Sequence, residues 1–193
     1  MIDLIYAHDK LSLIVEKDIE ECGIKVELDG SVLNFEGVPD PSFSVVLKPD
    51  GYYNSRVMHE PPKSVDNVTI IDNSPSGYDF YVIELRSSYR PRNIKVSEVK
   101  QKFDTMFQRF FPVDFADVFS GDFSVRRLNL WVVCFPYKDR GAKISREDFE
   151  RRVKSSALDV FNSYRPYVLK NKVALIKPML SPPTIHRDTF TEV

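Results

Sequence analysis

Two apolar segments joined by a short polar turn restrict most strongly how this chain can fold. VDNVTII (65–71) and YDFYVIELR (78–86) have the β-branched and aromatic composition of strands, and DNSPSG between them is typical of a turn. In a hairpin centred on Pro75, the positions whose numbers add up to about 150 lie opposite each other. Asp66 would then face Glu84 across the hairpin, with their Cβ atoms about 5 Å apart.

Two carboxylates at that separation repel each other unless a cation lies between them. Mg²⁺ and Mn²⁺ are the cations that prefer carboxylate oxygens. Arg86 follows Glu84 by two residues and therefore points to the same face of the strand. The hairpin thus predicts a divalent-metal site at Asp66 and Glu84. The alternatives are two solvent-facing residues on an edge hairpin, or a register shifted by one residue, which would separate the acids.

The rest of the chain alternates between helical and extended patterns. Apolar residues at helical spacing predict helices over residues 9–22, about 98–110 and about 146–163. Asp29-Gly30 and Asp50-Gly51 lie between extended segments and predict two further hairpins. Segments 126–136 and 172–180 have the composition of strands. This order predicts a mixed α/β fold with a central sheet flanked by helices.

Length and composition limit the class of protein. The chain of 193 residues suits one domain over 1–180, followed by an exposed tail over 181–193. Its formal net charge of −1 means that any attraction to nucleic acid must come from a local patch. Cys22 and Cys134 are expected to be buried free thiols in a reducing compartment. No apolar run approaches the roughly 20 residues of a membrane helix, so we expect a cytoplasmic protein without a membrane partner.

The hairpin and its flanking elements resemble the PD-(D/E)XK nuclease superfamily. In that family an Asp begins one strand, a (D/E)-x-K triplet lies on the next strand, and a helix follows. Asp66 matches the first position, and Glu84-Leu85-Arg86 matches the triplet with Arg in place of Lys. The family core is a helix, three antiparallel strands, a helix and a strand, which matches the order predicted over 9–136. The resemblance therefore implies a restriction-endonuclease-like core.

This resemblance implies metal-dependent hydrolysis of phosphodiester bonds in DNA or RNA. Asp66 and Glu84 would hold one or two Mg²⁺ or Mn²⁺ ions, which lower the pKa of a water molecule and neutralise charge on the phosphate. Arg86 keeps its proton, so it can only orient a water molecule or neutralise negative charge. The lysine of the motif would then come from the following helix, where Lys102 fits better than Lys100.

Further ligands are implied by the same resemblance. Many members add a carboxylate from the first helix, for which Glu16 and Glu20 are candidates, and Glu20 is the predicted metal ligand. Some members add a histidine, for which His59 is a candidate.

A basic segment follows the second strand of the hairpin. Residues 86–95 contain no acid, and their cations surround one aromatic side chain; these residues are Arg86, Tyr89, Arg90, Arg92 and Lys95. Cations at this place can bind phosphates while Tyr89 stacks on a base. The alternative is a solvated basic loop.

Phenylalanine recurs every fourth residue from 103 to 123. This pattern predicts core packing of two short helices, or a surface for a second copy or a protein partner. Two other functions remain open. The chain could be a catalytically degenerate nuclease-fold protein that binds nucleic acid or protein, or an interaction protein with an unrelated α/β fold.

Overall fold

A computed structural model describes residues 1–55, 60–87, 94–136, 141–154 and 157–188. The elements in chain order are α1 (Ile2–Ala7), β1 (Val15–Glu16), β2 (Ile19–Glu21), β3 (Ile24–Leu28), β4 (Ser44–Leu47), α2 (Pro49–Asn54), β5 (Asn67–Asp72), β6 (Tyr78–Arg86), α3 (Val96–Thr105), α4 (Ala116–Phe119), β7 (Val125–Cys134), α5 (Arg146–Lys154), β8 (Tyr167–Leu169), β9 (Lys172–Ala174), β10 (Ile176–Leu180) and β11 (Thr184–Ile185). Short 3₁₀ segments cover Ser12–Ile14, Gly30–Val32 and Ala157–Ser163, and a π-helix over Met106–Asp114 continues α3.

The chain folds around a mixed sheet of six strands in the order β1-β4-β5-β6-β7-β10. In this sheet β1, β4, β5 and β6 pair antiparallel with their neighbours, whereas β6, β7 and β10 run parallel to one another. In the β5–β6 hairpin Asn67 lies opposite Ile83 and Asp72 opposite Tyr78. The predicted mixed α/β class and the predicted hairpin register are therefore confirmed.

The two faces of the sheet are covered by different layers. One face packs against the helices in a core that includes Val68, Val82, Phe103 and Phe149. The other face carries a second core around Trp131, and it is covered by a small sheet of order β11-β3-β2. The helices therefore cover one face of the central sheet, and the small sheet covers the other.

The predicted helix over 9–22 is wrong. Its apolar residues divide between a 3₁₀ turn and the two short strands β1 and β2. Ile19 is buried because β2 pairs with β3, not because it lies on a helical face. Cys22 and Gly23 both have positive φ, 50° and 75°, and they make the turn between these strands.

The two Asp-Gly hairpins are also absent from these positions. Asp29 caps the 3₁₀ segment Gly30–Val32 by accepting a hydrogen bond from the Ser31 N–H. Asp50 and Gly51 lie inside α2, which begins with Pro49 at its first position. Proline suits the first turn of a helix because its nitrogen has no proton to pair, and this start competes with the Asp-Gly turn.

The later helices and strands lie where the sequence predicted them, with different bounds. The predicted helix over 98–110 corresponds to α3 and its π-helical continuation, whereas the helix over 146–163 ends at Lys154 and is followed by a 3₁₀ segment. The segment 172–180 forms two strands, β9 and β10, that are separated at Leu175.

The recurring phenylalanines lie mainly in the core. Four of them, Phe103, Phe111, Phe115 and Phe119, are buried, and so is the neighbouring Phe110. They contact one another in edge-to-face and tilted pairs, such as Phe110 with Phe115 at 4.7 Å between ring centroids. Core packing therefore accounts for this pattern. A surface for a partner through 103–123 would have to use the half-buried Phe107 and Phe123.

The described part of the predicted exposed tail packs against the fold. β11 pairs parallel with β3, and Ile185 is fully buried. Arg187 lies over the Phe43 ring at 4.2 Å and donates to the Asp72 carbonyl. The prediction of an exposed tail is wrong for residues 181–188, and residues 189–193 lie outside the described part of the chain.

Two further expectations concern thiols and membranes. Cys134 is a buried free thiol as predicted, whereas Cys22 is free but exposed, because it lies in the tight turn before β3. Among the described residues, no helix has both the length and the apolar character to cross a bilayer.

Candidate active site

Two carboxylates and two cations meet at one end of the β5–β6 hairpin. Asp66 directly precedes β5, and Glu84 lies near the end of β6 in the register that pairs Asn67 with Ile83. Helix α3 crosses the same face and places Lys102 between the acids. Its Nζ lies 2.8 Å from Glu84 Oε1 and 3.2 Å from Asp66 Oδ1. The sequence prediction that Asp66, Glu84 and Lys102 converge is therefore confirmed.

Asp66 is held in place by the backbone of the neighbouring strand. Its Oδ2 accepts a hydrogen bond of 2.6 Å from the Leu85 N–H, which fixes the carboxylate at the point where strand pairing ends. The residue is 7% exposed. Its other oxygen, Oδ1, faces Lys102, so this side chain presents one oxygen to the site and uses the other to maintain its orientation.

Glu84 is the most deeply buried group of the site. Its side chain has no exposed surface, and its Oε1 forms ion pairs with Lys102 at 2.8 Å and Arg86 at 2.9 Å. Its Oε2 has no hydrogen-bond partner among the residues that the structure describes. A buried oxygen without a partner is costly, which points to a ligand that occupies this position.

Burial governs the protonation of Glu84. Burial, and then the neighbouring Asp66 carboxylate, raises the pKa of Glu84 to about 8, while Lys102 and Arg86 act in the opposite direction. Burial alone would lower the pKa of Lys102, but the carboxylates of Glu84 and Asp66 outweigh it and raise that pKa above its ordinary value. Burial thus favours the neutral form of Glu84, whereas the two carboxylates favour the charged form of Lys102.

Arg86 and Lys100 have different partners from Lys102. Arg86 points back to Glu84 through its Nη2 atom and is 22% exposed, so it neutralises the acid of its own strand. Lys100 pairs with Asp104 at 2.5 Å on another side of α3. Of the lysines predicted on this helix, Lys102 is the one that reaches the carboxylates.

Asp50 is a third carboxylate near the pair, and the sequence pattern did not identify it. Its Oδ1 is buried and has no hydrogen-bond partner in the ranges that the structure describes. Burial raises the pKa of Asp50, Lys48 lowers it, and Asp66 raises it further, which reflects the proximity of the two acids. Leu47 at the end of β4 lies opposite Val68 near the start of β5, so Asp50 and Asp66 follow and precede neighbouring strand ends. That antiparallel pairing is the signal that could have found it.

The predicted ligands from the first helix are not in this site. Glu20 lies exposed on β2, opposite Lys25, in the small sheet that covers the other face. Glu16 is exposed on the edge strand β1. The prediction of Glu20 as a metal ligand is wrong, because the segment that carries it forms strands and not a helix over the site.

The predicted nucleic-acid-binding residues are only partly described. Lys95 precedes α3, is largely exposed, and pairs with Glu98 at 3.2 Å. Lys63 lies 4.0 Å from the same carboxylate, so exposed cations lie close to the start of this helix. The candidates Tyr89, Arg90 and Arg92, together with His59, lie outside the described residues.

The oxygens of the site suit a hard divalent cation. Within the described ranges, no three His, Cys, Asp or Glu side chains are grouped as ready metal ligands. Within the described part of the chain, Glu84 Oε2 and Asp50 Oδ1 are among the buried oxygens without a hydrogen-bond partner, and Asp66 Oδ1 is shared with Lys102. Carboxylate oxygens are the donors that Mg²⁺ and Mn²⁺ prefer, so the donor set fits these ions.

Comparisons with protein-family models, with curated proteins and with solved structures found no match to this chain.

Proposed function

We propose that this chain is a divalent-metal-dependent nuclease that hydrolyses phosphodiester bonds of DNA or RNA. The observation that carries the proposal is the fully buried Glu84, which lies beside Asp66 and Lys102 and whose Oε2 has no hydrogen-bond partner among the described residues. Such a group is expensive in a purely structural role and is expected where an ion binds. Perturbed carboxylates that converge in this way are frequent at catalytic sites.

The order of the elements supports a restriction-endonuclease-like core. Strands β4, β5 and β6 form an antiparallel meander, α3 follows, and β7 returns parallel beside β6. The PD-(D/E)XK core has the same succession of three strands, helix and strand, with its acids at the second and third strands. The helix that precedes this core in the family has no long counterpart here, since α1 spans only Ile2–Ala7.

Each side chain of the site has a distinct role in this proposal. Asp66 and Glu84 would hold Mg²⁺ or Mn²⁺, with Asp50 as an additional carboxylate. The ion would lower the pKa of a water molecule and neutralise negative charge on the phosphate. Lys102 would donate hydrogen bonds to the developing phosphate charge, and Arg86 offsets the charge of Glu84. Exposed cations such as Lys95 would bind flanking phosphates.

A cleavage assay tests this proposal directly. Labelled single- and double-stranded DNA and RNA are incubated with wild type, Glu84→Gln and the control Glu36→Gln, in MnCl₂, MgCl₂ or EDTA. Glu36 is exposed and lies in the loop before β4, so this control removes one surface carboxylate and leaves the site intact. We expect cleavage with either metal by wild type and by Glu36→Gln, and none with EDTA or by Glu84→Gln. Equal cleavage by Glu84→Gln would contradict the proposal.

A catalytically degenerate relative is the second candidate. The observation in its favour is that Lys102 and Arg86 already place two positive charges against the Asp66 and Glu84 carboxylates. A site balanced in this way can be stable without a metal. Such a protein would bind nucleic acid or protein, and it would show no metal-dependent cleavage of any of the four substrates.

A further inference from the structure

A second concave site lies between α5 and the edge strand β10. Its volume is about 850 Å³, which is in the range of small-molecule binding sites. Its apolar walls include Phe149 and Val153 from α5 and Met179, Leu180 and Pro182 from β10 and the residues that follow it. The space is therefore large enough, and apolar enough, for a planar organic group the size of a nucleobase.

This cleft lies at the same end of the strands as the carboxylates. Strands β6, β7 and β10 are parallel, so their carboxyl ends lie side by side. Glu84 lies opposite Val132, and Val132 lies opposite Pro178. Two strand spacings of about 4.8 Å therefore separate Glu84 from the wall of the cleft, or roughly 10 Å. Phe103 of α3 and Phe149 of α5 belong to one core, so both helices cover the same face.

The rim of the cleft is positively charged although the whole chain has a net charge of −1. Its charged lining residues are the cations Lys143, Arg146, Lys154 and Lys177 and the acids Glu150 and Asp159. Arg146 pairs with Glu150 at 3.1 Å. The three lysines are exposed, and within the described ranges no carboxylate pairs with them. Exposed, unpaired lysines around an apolar cavity favour a ligand that combines an apolar ring with negative charge.

We propose that this cleft binds a nucleotide of a single-stranded nucleic acid, a few positions along the strand from the phosphodiester at Glu84. The base enters between α5 and β10 against the apolar walls, and the lysines bind the flanking phosphates. A base in a duplex is paired and stacked, so it cannot enter such a cleft without being extruded. The inference rests on the proposed function, because it takes the substrate to be a nucleic acid. It adds that the substrate is a single-stranded nucleic acid.

Binding is measured separately from cleavage, by fluorescence anisotropy of labelled oligonucleotides in EDTA. The test variant is the double substitution Lys154→Ala with Lys177→Ala. The matched control is Lys10→Ala with Lys17→Ala, which removes two exposed positive charges that do not line the cleft. We expect wild type and the control to bind single strands more tightly than duplexes. The test variant should bind single strands about tenfold more weakly. Its plot of log K against log salt concentration should have a slope that is smaller in magnitude by about 1.4, as expected when two phosphate contacts are lost.

Insertion of the base has its own readout. One abasic residue is moved along the oligonucleotide, and we expect wild type to lose affinity at one position in particular. Met179→Ser should remove this position dependence, because it removes an apolar wall of the cleft without changing charge.

The outcomes separate this inference from the proposed nuclease activity. Binding that depends on Lys154 and Lys177 supports the cleft even if no cleavage occurs with any metal. Unchanged single-strand affinity in the double variant would overturn the inference even if the protein cleaves nucleic acid. Absence of binding to any oligonucleotide would also overturn it, and would leave a protein segment as the occupant to be sought.

Discussion

The Lys102 ammonium lies 2.8 Å from Glu84 Oε1 and joins helix α3 to the fully buried acid of β6. It lies between two carboxylates that the hairpin register brings together, because it also approaches Asp66 Oδ1 at 3.2 Å. A nuclease needs such a lysine beside the phosphate, whereas a degenerate relative would need it only to neutralise the acids. The following predictions distinguish the contributions of these groups.

Removal of the Lys102 charge should destabilise the metal-free protein. In Lys102→Met the buried Glu84 and Asp66 lose a cation, and we expect the free energy of unfolding to fall by about 3 kcal/mol, as when one partner of a buried ion pair is removed. Saturating Mn²⁺ should restore part of this loss, because the ion replaces the missing positive charge. Urea denaturation with EDTA or with MnCl₂ measures both effects. The control Lys100→Met removes a more exposed pair with Asp104 and should cost less than about 1 kcal/mol.

The stability of the metal-free protein should depend on pH through Glu84. In the folded protein the pKa of Glu84 is about 8, against an ordinary value of 4.5, so the folded state binds one more proton than the unfolded state between these values. The stabilising effect of this proton is complete below pH 4.5 and is lost as the pH rises through 8. The slope approaches about 1.4 kcal/mol per pH unit. The difference in unfolding free energy between wild type and Glu84→Gln, measured from pH 5 to pH 9 in EDTA, should follow this trend. A difference that is constant with pH would contradict it.

Asp50 should contribute to metal binding although it forms no part of the hairpin. Asp50→Asn removes a half-buried carboxylate that is near Asp66, so we expect Mn²⁺ affinity to fall by about tenfold. The metal-free protein should be as stable as wild type or slightly more stable, because charge repulsion is relieved. Glu20→Gln is the matched control, since Glu20 lies exposed on the other side of the sheet. Equal losses of affinity in both variants would show that the effect is non-specific.

Arg86 and Lys102 should respond differently to exchange of their cationic groups. Lys102→Arg keeps the charge but replaces a compact ammonium with a planar group between two carboxylates, and we expect cleavage to fall by about 100-fold. Arg86→Lys introduces the lysine of the PD-(D/E)XK motif, yet it should not increase cleavage, because Lys102 already occupies the position between the acids. Single-turnover rates in MnCl₂ compare the two. Higher activity in Arg86→Lys would instead place the catalytic cation on β6.

The hairpin was predictable because its information is local. The turn around Pro75 and the apolar runs on both sides define one register, and the observed pairing of Asn67 with Ile83 follows it. Lys102 was predictable because the spacing of apolar residues along α3 orients the helix over the sheet.

The errors arose where tertiary contacts decide the outcome. Leu11, Ile14, Val15 and Ile19 have helical spacing, but the first three pack against the core under the helices and Ile19 packs into the core on the other face of the sheet. The segment therefore forms a 3₁₀ turn and two short strands. Asp50 was missed for a related reason. Its position depends on the pairing of β4 with β5, which a turn-like Asp-Gly sequence does not indicate.

Calorimetric titration with MnCl₂ tests most directly whether the opposed carboxylates bind a divalent ion. The account predicts saturable binding by wild type and by Glu36→Gln, and a loss of affinity of more than about tenfold in Glu84→Gln. Absence of saturable binding by wild type, or equal binding by Glu84→Gln, would contradict it.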